Sequence, residues 1–165
     1  MAVLAAGVAY ALSQDSTTTE AATCDFAEHY TTVSTLTAHS DLVVAGQVGK
    51  KLDTTSGDGG GATDFSFTVA SVLSDPGKRI PQGVGTVKVH QSGTSAGTQC
   101  QEDPLFTSGS MDVLFLREYA PGSYYVVGGP NGRLIVQGGQ VSPFSAESLQ
   151  FTGTVDDLAR HVRSQ

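Results

Sequence analysis

The residues of this 165-residue chain best suited to chemistry are two cysteines, Cys24 and Cys100, and four histidines, His29, His39, His90 and His161. A zinc site written into local sequence needs ligands at short fixed spacings, and neither CxxC, HxxxH nor HExxH occurs. A reduced thiol beside a histidine would be a nucleophile. Serine is plentiful, but Gly109-Ser110 and Gly122-Ser123 lack the GxSxG frame of a nucleophile elbow. Asp58 lies within a run of glycines, Gly57 to Gly61, that lacks the Lys-Ser/Thr ending of a phosphate-binding loop. Asp156 and Asp157 fall in the first turn of a terminal helix, where carboxylates offset the helix dipole. Two groups remain as binding candidates. Glu102 and Asp103 form a carboxylate pair next to Cys100 that suits a cation, against the default of a solvated loop. Tyr119, Tyr124 and Tyr125 suit an aromatic binding face, with one or two of them expected in the core. The expectation is therefore no catalytic residue, no metal and no cofactor.

The thiols fit a different role. Residues 1–12 are apolar, too short for the roughly 20 residues of a membrane-spanning helix but of the length found in a signal peptide. Ala9-Tyr10-Ala11 has the small-x-small form of a cleavage site, although no basic segment precedes the run. The expectation is a signal peptide or the remnant of a signal anchor, against the alternative of a buried helix. Residues 13–23 are rich in Ser and Thr and read as a flexible spacer. Residues 24–165 then form the domain. In an exported chain two lone cysteines pair, so a Cys24–Cys100 disulfide is expected; in a reducing compartment they would be buried thiols. Nine basic residues against sixteen acidic ones give a net charge of −7. That balance speaks against nucleic acid and against anionic membrane surfaces, leaving an N-terminal anchor as the route to a membrane.

The elements that must position these residues are mostly strands. Phe26, Tyr30, Val33 and Leu36 recur at helical spacing, and the helix is expected near residues 33–39. Strands are expected at residues 41–48, at 65–73 from the alternation of Phe65, Phe67 and Val69, and at 87–90. Residues 50–63 and 92–110 read as long loops. Residues 111–117 are almost continuously apolar, as in a strand buried on both faces. Strands at 124–127 and 133–137 are expected to form a hairpin across Asn131-Gly132. Thr154, with Asp157 three residues on, caps a helix whose stripe is Val155, Leu158, Ala159 and Val162. Helix, about six short strands, helix: this spacing fits a mainly β barrel or sandwich.

The order of these features resembles the netrin-like module of the tissue inhibitors of metalloproteinases. The matching pieces are Cys24 before a short helix, Ser40-Asp41-Leu42-Val43-Val44, the alternating Phe65-Ser66-Phe67-Thr68-Val69, and Val87-Lys88-Val89-His90. Cys100, Val113-Leu114-Phe115-Leu116, Tyr124-Tyr125-Val126-Val127 and the last helix follow in order. The resemblance implies a small OB-like antiparallel β-barrel with a short N-terminal and a C-terminal helix, with Cys24 and Cys100 tying the front segment to the barrel wall. It also implies protease inhibition. Those inhibitors bind zinc through the free amine of a leading cysteine and carry a second cysteine two residues on. Here that position is Phe26, and an amide nitrogen within a chain has no lone pair for a metal. The expected function is therefore an exported, non-enzymatic binding domain of the cell envelope or exterior. Its partner is an unidentified protein or envelope ligand, and its contact surfaces are the two long loops. A netrin-like inhibitor and a hydrolase assembled from distant residues are the alternatives.

Overall fold

Strand β2, Leu42–Thr55, shows how this chain builds a barrel. Leu42, Val44 and Val48 point one way and Val43 and Ala45 the other, yet all five are buried. A strand hydrophobic on both faces needs a cover on each. In the computed structural model, which describes residues 21, 22, 24, 26, 28–55, 61–81, 83, 85–94 and 99–165, both covers are present. The leader 1–12, residues 13–20 and 23 of the spacer, and residues 57–60 of the glycine run lie outside the described residues.

The other barrel strands are β3 (Ala62–Ser74), β4 (Gly85–Ser92), β6 (Met111–Ala120) and β7 (Ser123–Val126). Their hydrogen-bonded order is β6-β2-β3-β4-β7, and β7 pairs back onto β6, closing a five-stranded barrel. Every pairing is antiparallel except β4 with β7, a parallel seam with His90 opposite Tyr125. This is the OB-like arrangement. Phe65, Phe67, Val69, Val87, Val89, Leu114, Leu116 and Tyr124 join Leu42, Val44 and Val48 in the barrel interior. Register shifts between β2 and β3 bend the long strands around it.

The outer face of β2 and β6 carries the second core. Val43, Ala45, Val113 and Phe115 pack there with Leu36 of α1 (Val33–Ala38) and with Leu158, Ala159 and Val162 of α2 (Val155–Arg163). Thr154 and Asp157 form the expected capping box. Alongside lie β8 (Arg133–Gln137), β9 (Gln140–Pro143) and β10 (Gly153–Thr154). Two further short strands, β1 (Ala21–Ala22) and β5 (Gln99–Cys100), pair in parallel. Beside them Cys24 and Cys100 form a disulfide with Cα atoms 5.3 Å apart.

Two expectations need correction. Residues 50–63 are not one loop: β2 runs to Thr55 and β3 starts at Ala62, so most of the stretch is a two-stranded ribbon. Nor do β7 and β8 form a hairpin. Both pair with β6, β7 along Leu116 to Ala120 and β8 along Asp112 to Leu114, with a 3-10 turn, Gly129–Gly132, between them. Asn131 is not an exposed turn tip. It is 5% exposed, accepts a hydrogen bond from the Tyr30 N–H at 2.9 Å and donates to the Glu147 carbonyl. Its side chain fastens two distant segments, and that purpose overrides the Asn-Gly turn preference. The hairpins are instead β6–β7 across Pro121-Gly122 and β8–β9 across Gly138-Gly139, whose positive φ angles of 57° and 79° suit a tight primed turn.

Candidate functional site

Cys24, Phe26, Glu28 and Tyr30, upstream of the first helix, are placed by discrete ties. The disulfide is one. The Cys24 N–H donates to Glu102 Oε2 at 3.2 Å, and the Tyr30 N–H donates to Asn131. Arg117 Nη1 lies 3.8 Å from Glu28 Oε1. Gly128 and Gly129, with φ of 63° and 55°, lay bare backbone beneath two rings. A Cβ on Gly129 would come within 2.4 Å of the Phe26 ring, and one on Gly128 within 3.0 Å of Tyr30. Glycine is required at both positions, for the left-handed backbone and for the close approach.

Held this way, the segment walls a cleft of about 510 Å³ against the barrel. Phe26 and Glu28 form that wall, and Tyr119 and Tyr125 of the β6–β7 hairpin form another. The end of β4 (His90, Gln91, Ser92) and Asp103 also line the cleft. The size and mixed lining are those of a small-molecule site.

The polar groups are prepared in different ways. His90 Nδ1 donates to Asp64 Oδ1 at 2.7 Å, and Lys88 Nζ lies 3.1 Å from Asp64 Oδ2. Burial raises the affinity of Asp64 for a proton, but the hydrogen bonds from His90 and Lys88 outweigh it and hold the carboxyl below its ordinary range. With Nδ1 engaged, the imidazole has only Nε2 to offer a ligand. The Tyr119 ring lies 5.6 Å from the imidazole, centroid to centroid. Gln91 is a clamp. Its amide nitrogen donates to Asp103 Oδ1 at 3.0 Å and to the Pro104 carbonyl, and its oxygen accepts from the Phe106 N–H at 2.9 Å. Asp103 is 8% exposed, and burial pushes its carboxyl up to about 6 against the pull of Arg133 and Gln91.

Behind Asp103, Arg133 Nε donates to Asp112 Oδ2 at 2.9 Å, both side chains being almost fully buried. The guanidinium lies 4.4 Å from the Phe106 ring centroid and 3.8 Å from that of Phe144. Burial raises the pKa of Asp112 as well, and its Oδ1 has no hydrogen-bond partner. This network binds β6, β8 and the loop before β6 into a rigid backing for the cleft.

Of the five binding candidates read from sequence, three converge here: Asp103, Tyr119 and Tyr125. Glu102 and Asp103 do not act as a pair. Asp103 turns inward, while Glu102 caps the Cys24 amide and lines a separate cavity of about 200 Å³. Tyr124 is 1% exposed in the barrel interior, where burial and then the charge of Glu118 push its phenol up to about 12. Phe26, Glu28, His90 and Gln91 were not among the candidates. Strand alternation placed His90 outward and gave no sign that the N-terminal segment would cover that face. Among the described residues no cysteine is free, and no group of three or more His, Cys, Asp or Glu side chains is placed to hold a metal ion. The arrangement offers aromatic faces, two carboxyls and an oriented imidazole. No protein-family model matches the chain, and no curated protein matches it.

Proposed function

We propose that this chain is an exported binding domain of the cell envelope or exterior that holds a ligand in the cleft between its tethered front segment and its barrel. The observation that carries this reading is the Cys24–Cys100 disulfide, which fixes Phe26 and Glu28 as one wall of a cleft of about 510 Å³. A structural disulfide is compatible with an oxidising compartment and unusual in a reducing one. The covalent tie anchors the start of that wall. The reading is supported by the mixed lining of aromatic rings and carboxyls, with the His90–Asp64 pair orienting Nε2 toward a ligand.

Two measurements test this. Fractionating cells that make the chain, with intact-mass analysis of each fraction, is expected to find it outside the cytosol with the disulfide formed. A cytosolic, reduced chain overturns the reading. Ligand capture from the envelope fraction is expected to be lost in Tyr119→Ala, and capture indifferent to that change removes the cleft as the site.

The second reading is a netrin-like protease inhibitor. It is supported by the OB-like strand order and by the tie from the front segment to the loop before the fourth barrel strand. The Cys24 amide, occupied by Glu102, offers no lone pair, so inhibition would use an exposed loop. Absence of inhibition across metallo- and serine proteases ends this reading.

A further inference from the structure

The cleft's charge and ring pattern selects a class of ligand. Three aromatic rings line it: Phe26, pressed against the backbone of Gly129, Tyr125 on β7, and Tyr119, which is 50% exposed. Two carboxyls line it as well. Glu28 on the tethered wall has its side chain 43% exposed and faces Arg117, at 3.8 Å, and Tyr30. Asp103 lies in the interior, clamped by Gln91. The cationic groups nearby are each paired, Arg117 with Glu28 and Tyr125 of the lining itself. His90 and Lys88 serve Asp64, and Arg117 Nε donates to the His39 carbonyl at 3.0 Å. Among the described residues that line the cleft there is no lysine or arginine.

We infer that the cleft binds a small organic cation, a quaternary or protonated ammonium group, against the rings of Phe26, Tyr119 and Tyr125 with Glu28 and Asp103 as counter-charges. This rests on the cleft being a ligand site. An aromatic face attracts a cation through its quadrupole, and partial desolvation strengthens that attraction. The carboxyls add charge, and the net charge of −7 raises the local concentration of cations. An anionic ligand would meet two carboxyls in the lining. A neutral ligand could use the rings but gains nothing from the carboxyls.

The test uses the oxidised chain and two probes of one shape. Choline carries the quaternary ammonium, and 3,3-dimethylbutan-1-ol replaces its nitrogen with carbon. Titration followed by amide and Tyr ring NMR is expected to show saturable binding of choline, with the alcohol weaker by roughly fivefold or more. Tyr119→Ala and Glu28→Gln, both at partly exposed positions, are each expected to weaken choline by roughly threefold or more while the disulfide and the amide NMR pattern of the barrel core are retained. Equal affinity for the two probes, no saturable shift with choline, or shifts indifferent to both variants each overturn the cation inference. None of these touches the parent reading, which is tested separately by the compartment and disulfide state of the chain and by capture of its native ligand.

Discussion

Replacing Asp103 with asparagine has an outcome that can be worked from its surroundings. The carboxyl is 8% exposed and burial lifts its pKa from 3.8 to about 6, even with Arg133 and Gln91 pulling the other way. The unfolded chain restores the ordinary value. The folded state therefore binds the proton more tightly, and the stability that comes from that preference is fully present below pH 3.8. It is lost as the pH rises through about 6, where the folded protein must at last ionise a buried group. A difference of about 2 units corresponds to roughly 3 kcal/mol, reached near pH 6 and constant above it. Asparagine keeps the shape and can still accept from Gln91 Nε2, but it never ionises. Asp103→Asn is therefore expected to match the wild type near pH 4 and to exceed it by roughly 3 kcal/mol at pH 8, the attraction to Arg133 being already contained in the net shift. The assay is urea denaturation of both proteins at half-unit intervals from pH 4 to 8. A difference that stays flat within about 0.5 kcal/mol over this range refutes the reasoning.

Replacing both cysteines with serine opens a loop with a sequence separation of 76 and is expected to cost about 4.5 kcal/mol in guanidinium denaturation by the chain-entropy model; a loss below about 1 kcal/mol contradicts the tether's role. Gly129→Ala places a methyl against the Phe26 ring on a backbone with positive φ, and is expected to cost about 1–3 kcal/mol and to shift the Tyr119 and Tyr125 NMR signals as the wall moves. Asn131→Ala leaves the Tyr30 N–H and the Glu147 carbonyl without their partner and is expected to cost about 2–4 kcal/mol, with faster amide exchange at Tyr30. Unchanged exchange there means the front segment is held by other contacts.

The parts of the fold governed by local periodicity were legible in the sequence. Alternation at Phe65, Phe67 and Val69 gave β3, and the unbroken run through Val113, Leu114, Phe115 and Leu116 gave a strand buried on both faces. Thr154 and Asp157 gave the capping box. What was not legible depended on distant partners. Asn131-Gly132 carries a strong hairpin signal, but the Tyr30 amide and the Glu147 carbonyl claim the asparagine side chain. Nothing near Asp103 says that Gln91 will turn it inward while Glu102 turns toward Cys24. The cleft is the extreme case. His90 looks like any outward residue of a barrel strand until a segment more than 60 residues earlier is tied down over it.

Native mass spectrometry of the protein isolated intact from its own compartment addresses most directly whether tether and barrel together make a ligand site. The account expects a non-covalent small-molecule adduct on the oxidised chain, lost in the Tyr119→Ala, Tyr125→Ala double variant and in the form with both cysteines replaced. A bare mass for the oxidised chain, or an adduct that survives both changes, contradicts it.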